Sequence, residues 1–525
     1  MKNIIKKFIP ILTISIVLVS CHADLDQDPI DPDSFTEQDV FANTTEAKGA
    51  LAKLYASLAL TGQNGGDDGS PDISDINQGF SQYTRMLFNL NEITTDHAVV
   101  GWGDPGLPDL HGMYWTANND FTGAMYLRLA QEVSFCNSFI TNASALQDAE
   151  AQTFIAEARF LRAFAYYNLI DFFGDVPLLT QISTELPTQS SRTEIFDFVE
   201  SELLDIQNLL PESQANEYGR VDRVAAWALL SRLYLNAEVW TGTSRFDECI
   251  TFSNEVINSS YSLNTNDANG NGTAYDELFL ADNHSNGAQN EFIFTINFDG
   301  ISSTTYGGTT FLIHAAVGGS MDPAAYGING GWGGNRITSA LVQKFQTNDK
   351  RAMWYTDGQS LEISSIPTFT DGYACVKFKN IDSNGVQGND KRGDFTDPDL
   401  AIMRLPEIYL NYAEATLRGG SGNLTTAVDL INQLRTRAFG NTSGNISAAN
   451  LDLNFVLDER SRELYWEGQR RTDLVRYNYF TSDSYVWPFK GNQPDGTGTD
   501  SFRDLFPIPN NTILINPNLT QNPGY

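Results

Sequence analysis

The segment 149–173, AEAQTFIAEARFLRAFAYYNLIDFF, constrains the fold more than any other part of the chain. It is a long run of helix formers in which small residues (Ala156, Ala163) alternate with large ones (Phe160, Tyr167). That alternation lets neighbouring helices approach closely. The Gly and Pro residues of the following GDVP sequence predict that the helix ends at residue 173. Amphipathic patterns predict further helices at 39–60, 126–141, 193–210, 223–235, 246–257, 404–418 and 424–439.

A loop-rich segment at 291–342 separates the early helices from the late ones. It contains a predicted strand at 292–298 and two glycine-rich sequences, YGGTT and NGGWGGN. The chain is therefore predicted to be mainly α-helical, with one long insertion in its middle. The helix pairs resemble tetratricopeptide repeats, although no strict consensus of about 34 residues is present.

The stretch Leu457–Asn478, LDERSRELYWEGQRRTDLVRYN, combines dense charge with large aromatic residues. Arg460 and Glu463 are three positions apart, and Glu467 and Arg471 are four apart, so each pair can meet on one helix face. The pattern predicts an amphipathic helix that packs on one side and forms ion pairs on the other.

The chain begins like an exported lipoprotein. Three lysines precede an apolar run from Phe8 to Val19 that is too short to span a bilayer stably. The run ends in LVSC, the pattern of a bacterial lipobox, so residues 1–20 are predicted to be a signal peptide and Cys21 the lipidated residue. Several acyl chains on Cys21 would give lasting membrane attachment where one would not. The alternative is an ordinary secretory signal that happens to contain a cysteine.

The charge, the length and the cysteines bear on the possible partners, the number of domains and the disulfides, respectively. The formal net charge of −32 disfavours nucleic acid and anionic membrane surfaces, whereas neutral glycans remain compatible with it. The length of 525 residues alone would suggest about three domains. Apart from Cys21, three scattered cysteines give no disulfide framework.

Several segments in order resemble the SusD/RagB family, surface lipoproteins that bind glycans beside an outer-membrane transporter. They are AEARFLRAFAYYNLIDFFGDVPL, GRVDRVAAWALLSRLYLNAEVWTG, RLPEIYLNYAEA, RELYWEGQRRTDLVR and the terminal FPIP…NPNLTQNPGY. The resemblance implies a single SusD-like domain over 21–525, built on four tetratricopeptide-like helix pairs, with the ligand site in the loop-rich insertion. It replaces the three-domain expectation, and it implies a SusC-like TonB-dependent transporter that the protein covers as a lid at the cell surface. The acidic tether that follows Cys21 resembles the export signal that sends such lipoproteins to the cell surface.

A finer resemblance, to the starch-binding branch of the family, is carried by ALTGQNGGDDGSPD, YTRMLFNLNEITTD and YGGTTFL. In that branch an aromatic arc cups an α-glucan helix, and the matching positions here are Trp102, Tyr306 and Trp332. Arg85 matches a sugar-contacting arginine. Two positions depart from the branch: Asn77 stands where it carries Asp, and Pro105 stands where it carries Asn, with Asp104 beside it.

These residue types suit a sugar. Flat aromatic rings cover the C–H face of a pyranose, and Arg, Asn and Asp can satisfy its hydroxyl rim. Glycines flank Trp102 and Trp332, so the backbone can turn and leave the rings uncovered. The alternative is that both rings pack under their loops as part of a small core.

The sequence DANGNG at 267–272 resembles the start of a calcium loop, with Asp267, Asn269 and Asn271 as oxygen ligands. The twelfth position is Leu278 rather than Glu, so a polar Asn/Gly turn is the alternative. We expect no other cofactor.

The sequence thus predicts a non-catalytic, surface-anchored protein that binds α-glucan and delivers it to the transporter. Metalloprotease, serine hydrolase and phosphate-loop motifs are missing from the sequence. Three alternatives remain open: the same role with a β-glucan such as laminarin, a glycoside hydrolase, or a purely structural helical scaffold.

Overall fold

The computed structural model describes residues 36–66 and 69–525. The predicted signal peptide, Cys21 and the acidic tether lie outside the described residues. The α-helices are α1 (Glu37–Val40), α2 (Thr44–Ala59), α3 (Tyr83–Phe88), α4 (Pro108–Gly112), α5 (Asp120–Ala143), α6 (Ala149–Phe173), α7 (Arg192–Ile206), α8 (Arg223–Thr241), α9 (Phe246–Ile257), α10 (Gly308–Ala316), α11 (Ser339–Val342), α12 (Leu405–Leu417), α13 (Leu424–Phe439), α14 (Leu453–Leu464), α15 (Arg470–Arg476) and α16 (Asn510–Ile515).

Besides short 3-10 helices and one π-helical turn (Asn89–Ile93), the described ranges contain short strands: β1 (Ala98–Val100), β2 (Val176–Pro177), β3 (Gln189–Ser190), β4 (Phe292–Ile296), β5 (Asn335–Ile337), β6 (Trp354–Tyr355), β7 (Ala374–Cys375) and β8 (Leu400–Arg404). Within the described ranges they form antiparallel two-stranded ladders, β1–β5, β2–β3, β4–β8 and β6–β7. The mainly α prediction is therefore confirmed, and β4 corresponds to the strand predicted at 292–298.

Local sequence signals explain the helix ends. The predicted bounds of α6, α9 and α13 match the observed ones. Asn119, Asp222 and Asn423 cap the first turns of α5, α8 and α13, because their side-chain oxygens accept backbone N–H groups there. Gly242 and Gly440 end α8 and α13 in the left-handed conformation that glycine adopts without steric cost.

The long helices pack in chain order. Helix α5 packs on α6, α6 on α7, α7 on α8 and α8 on α9, after which α12 packs on α9, α13 and α14. Buried hydrophobic side chains form one cluster that runs from Ala47 in α2 to Ile508 near the C-terminus. The tetratricopeptide-like character of the pairs and the single-domain assignment of 21–525 stay predictions. In the described part of the chain, no helix has both the length and the apolarity needed to cross a membrane.

The prediction of one amphipathic helix over Leu457–Asn478 is wrong. Helix α14 ends at Leu464 and α15 begins at Arg470. Between them Trp466 has φ 65° and Gly468 has φ 76°, so the chain breaks direction. Trp466 itself is buried against Phe88, with ring centroids 4.9 Å apart.

The predicted local ion pairs are wrong as well. Arg460 pairs with Asp473 at 2.8 Å, and Arg471 donates to the carboxylate of Asp171 at 3.2 Å. Glu463 and Glu467 both bind the buried guanidinium of Arg404, at 2.6 and 2.7 Å. Helical spacing reveals only neighbours in sequence, whereas buried charges must be paired by whatever residues the fold brings to them.

Glu463 is the centre of this buried network. It also binds Arg351 at 3.0 Å and Arg437. Burial alone would raise the pKa of Glu463, but the guanidiniums of Arg437, Arg404 and Arg351 outweigh it and hold the pKa well below its usual value. The segment 457–478 therefore contributes to a charged interior that joins α14 to β8 and α13.

Candidate functional site

Trp102 and Trp332 lie opposite each other at the end of a short ladder. Strands β1 and β5 pair with Ala98 opposite Ile337 and Val100 opposite Asn335. The pairing continues by one bond, from the backbone N–H of Gly101 to the carbonyl of Gly334 at 2.9 Å. Trp102 follows β1 and Trp332 precedes β5, so the ladder brings two distant parts of the sequence together.

The glycines around Trp332 allow the close approach. A Cβ atom at Gly334 would lie 2.3 Å from the ring of Trp102, and one at Gly331 would lie 2.1 Å from the carbonyl oxygen of Val317. Backbone N–H groups of residues 332–334 donate to carbonyls at the end of α10, at 2.7, 2.9 and 2.8 Å. The tryptophan loop is thus fixed to α10 by main-chain bonds.

Tyr306 reaches the site from the other end of α10. Gly307 and Gly308 connect it to the helix, and Gly308 has φ 52°. A Cβ atom at Gly307 would lie 2.5 Å from Gln82, and one at Gly308 would lie 2.1 Å from Phe298. Both positions therefore need glycine for close packing, and α10 holds Tyr306 and Trp332 in a fixed relation.

The three predicted rings are neighbours and all are partly exposed. The centroid of Trp332 is 6.4 Å from that of Trp102 and 6.1 Å from that of Tyr306. The indole N–H of Trp102 donates to the carbonyl of Trp332 at 3.2 Å. The rings form a row with Trp332 in the middle, which we call the aromatic row (Trp102, Trp332 and Tyr306).

Arg85 lies beside this row, on α3. Its guanidinium carbon is 5.8 Å from the ring centroid of Trp102 and 4.5 Å from that of Phe311. Burial lowers the pKa of Arg85 to about 10, and the nearby Asp104 carboxylate opposes that shift. The side chain remains cationic at neutral pH, and its buried Nε has no hydrogen-bond partner among the described residues.

Asn77 and Asp104 are exposed at the edge of the same region. The Asn77 side chain accepts the N–H of Gly79 at 2.8 Å, and the carbonyl of Gly79 accepts a bond from Arg85 at 3.1 Å. Asp104 is two residues after Trp102 and near enough to Arg85 to influence its charge. All six residues predicted to bind ligand are therefore brought to one region, while their binding roles stay predictions.

Sequence reasoning missed four residues that complete the site. Phe395 extends the aromatic row beyond Tyr306, with centroids 5.5 Å apart. His314 stacks under Trp332 at 4.8 Å. Buried Arg336 donates to Gly334, Asp371 and Ile366 carbonyls, and it lies 6.0 Å from the ring of Phe369. No local pattern marks these residues, since each reaches the site through tertiary contacts.

The predicted calcium ligands lie in one loop. Asp267 accepts the backbone N–H groups of Asn271 and Gly272 at 3.0 and 2.9 Å. The amides of Asn269 and Asn271 donate to one oxygen of Asp276, whose other oxygen is buried without a partner. No group of three or more His, Cys, Asp or Glu side chains arranged for a metal ion occurs in the described ranges. The loop fits a hard cation only through Asp267, Asp276 and amide oxygens, so calcium stays a prediction.

Comparisons with known proteins agree with this architecture. The SusD family model matches residues 361–525, and a model described as "Starch-binding associating with outer membrane" matches residues 104–235. The chain is 33% identical to the starch-binding protein SusD of Bacteroides thetaiotaomicron, over 98% of this chain and 97% of that protein. It is 24% identical to a SusD-like protein of Bacteroides ovatus, over 80% of this chain and 78% of that one.

Solved structures show the same fold. A SusD superfamily protein from Parabacteroides distasonis superposes with a TM-score of 0.71 at 22% identity, covering 92% of this chain and 99% of that one. A laminarin-binding SusD-like protein superposes with a TM-score of 0.69 at 20% identity, covering 92% and 100%. Because the chain is 33% identical to a SusD protein over nearly its full length and shares the fold, the chain belongs to the SusD family.

Proposed function

We propose that this protein is a non-catalytic binder of α-glucan, such as starch or maltooligosaccharide, at the cell surface. Its relatives in the SusD family are carbohydrate-binding proteins rather than enzymes. The observation that carries the proposal is the aromatic row, in which three partly exposed rings lie within 6.4 Å of their neighbours.

The chemistry of the row suits a pyranose chain. The rings of Trp102, Trp332 and Tyr306 would stack on the C–H faces of successive sugars. Arg85, which is partly exposed, and the exposed Asn77 and Asp104 would bond the hydroxyl rims. Because the polymer loses freedom on binding, we expect dissociation constants of about micromolar to millimolar.

The same proposal includes anchoring and delivery. A lipid on Cys21 would attach the protein to the outer membrane, and a SusC-like TonB-dependent transporter would receive the glycan. The lipobox sequence and the matching model for association with the outer membrane support this part.

Affinity electrophoresis of the form lacking residues 1–21 tests the choice of glycan. We expect retardation by amylopectin, because Trp102, Tyr306 and Trp332 stand at the positions that form the aromatic arc in the starch-binding branch, and the structure brings these rings together. Retardation by laminarin alone would contradict the α-glucan proposal and favour the β-glucan alternative, which the laminarin-binding structural relative makes worth testing. Release of reducing sugar from either polymer would instead indicate a glycoside hydrolase.

We also propose that a calcium ion stabilises the loop that contains Asp267, Asn269 and Asn271. The unpartnered buried oxygen of Asp276 supports this proposal. Calorimetric titration of the chelated protein with calcium should give binding heat and raise the melting temperature, and Asp267→Ala should remove both effects. A titration without heat, together with an unchanged melting temperature, would contradict it.

A further inference from the structure

A second patch of aromatic surface lies beyond the segment that carries Trp102. Tyr114 is 39% exposed, and Phe489 is partly exposed. The Tyr114 ring lies across Gly112, where an added Cβ atom would come within 2.3 Å of the ring and 3.5 Å of Asn492. The ring of Phe489 meets His111 edge to face, with centroids 6.4 Å apart. These side chains lie on α4, on the residues that follow it and on the turn 488–493, and we call them the Tyr114–Phe489 surface (His111, Tyr114, Phe489 and Asn492).

Phe489 is held in an energetically unfavourable backbone conformation. Its φ of 73° lies in the left-handed region, which is rare for a bulky side chain. The neighbouring Lys490 fixes the turn, because its buried ammonium donates to the carbonyls of Tyr479, Ser482 and Tyr485 at 2.9, 2.6 and 2.6 Å. Such strain persists where the surrounding structure enforces it, and it is concentrated at functional sites. In this turn the strained residue is Phe489, and its ring is partly exposed rather than buried in the core.

The polar groups of this surface are suited to a neutral ligand. His111 is only 8% exposed, and its Nδ1 has no hydrogen-bond partner in the described protein. Burial, together with Arg336, lowers the pKa of His111 to about 4, so the ring is neutral at physiological pH. Asn492 and Gln493 are exposed amides on the same turn. Flat rings beside exposed amides match the C–H faces and hydroxyls of a sugar.

In sequence, the Tyr114–Phe489 surface is also close to the aromatic row. Tyr114 follows Asp104 by ten residues. At no more than about 3.6 Å per residue, the two lie within about 36 Å of each other. Helix α4 contacts both β1, which precedes Trp102, and the turn that carries Phe489. The greatest possible separation is therefore within the length of one long polysaccharide chain.

We propose that the Tyr114–Phe489 surface is a second platform for the same glucan polymer, with the rings stacking on sugars and the exposed amides of Asn492 and Gln493 bonding hydroxyls. This inference rests on the proposed function of the aromatic row. Two linked contacts raise the affinity for a polymer well above that of either contact alone, whereas a short oligosaccharide that fills one platform gains nothing.

The experiment compares polymer and short ligand on the form lacking residues 1–21. The test variant is Tyr114→Ala with Phe489→Asn, because asparagine tolerates the left-handed conformation at 489. We expect the dissociation constant for amylopectin, from affinity electrophoresis, to rise about tenfold or more. Calorimetry with maltohexaose should give an unchanged constant for binding at the aromatic row.

A matched control removes exposed apolar side chains elsewhere. Leu514→Ala with Ile515→Ala truncates residues that are 73% and 72% exposed on α16, and amylopectin binding should not change. Circular dichroism melting curves check that each variant folds. Equal amylopectin affinity of the folded test variant and the wild type would overturn the second platform and leave the proposed function intact.

Two other outcomes separate the two proposals. Loss of maltohexaose binding in the folded test variant would assign the rings to the first site and overturn a separate platform. If the wild type binds laminarin instead of amylopectin, the α-glucan proposal fails, and the same comparison with laminarin and laminarihexaose then decides the second platform. A wild type that binds neither glucan overturns both.

Discussion

Replacing Trp102 and Trp332 together by alanine should abolish detectable retention by amylopectin. Rings at the centre of a binding surface contribute about 2 kcal/mol each. Since every 1.4 kcal/mol is a tenfold change in affinity, losing both should weaken binding by at least about a hundredfold. The two rings contact each other, so their separate effects will not simply add. Affinity electrophoresis of the double variant measures the result.

The control for this prediction is Trp227→Ala. Trp227 is also partly buried, and its indole N–H donates to Gln207 at 2.9 Å. It belongs to α8 in the helix array and not to the site, so its loss should leave retention unchanged. Undiminished retention of a folded Trp102/Trp332 double variant would show that the aromatic row does not bind the glycan, as expected of a purely structural scaffold.

The largest expected effect on stability follows the removal of Glu463. Glu463→Ala should lower the free energy of unfolding by about 3–5 kcal/mol, because it leaves the guanidiniums of Arg351, Arg404 and Arg437 buried without their shared counter-charge. Urea unfolding followed by circular dichroism measures the change.

An exposed ion pair provides the comparison. The Glu217 side chain is 61% exposed and pairs with Lys48 at 2.7 Å. Glu217→Ala should change the free energy of unfolding by no more than about 1 kcal/mol. Similar losses for Glu463→Ala and Glu217→Ala would mean that the buried network does not stabilise the fold in the way described.

Local sequence patterns predict the helices well but not the charged interior. Helix α6 has its predicted bounds because it is a long run of helix formers that Gly174 ends. In contrast, Arg404 and Glu463 are 59 positions apart, and only the docking of β8 against α14 brings them together. A helical interpretation of Leu457–Asn478 therefore identifies the residues that matter and assigns them the wrong partners.

The residues of the candidate site are likewise of two kinds: some are marked by the local sequence, and others are brought in only by the fold. Glycines beside Trp102 and Trp332 indicate rings near the surface, and resemblance to the starch-binding branch adds Tyr306 and Arg85. Phe395 and His314 carry no such signal, since Phe395 reaches Tyr306 across 89 positions and His314 lies under Trp332 through the fold of α10. The left-handed backbone of Phe489 and the partial exposure of its ring are likewise not marked by its sequence neighbours.

A crystal structure of the form lacking residues 1–21 with maltohexaose bound is the most direct measurement. We predict consecutive glucose units stacked on Trp102, Trp332 and Tyr306, with Arg85 within hydrogen-bond distance of a hydroxyl. A well-ordered oligosaccharide bound elsewhere, with those three rings left uncovered, would contradict the account.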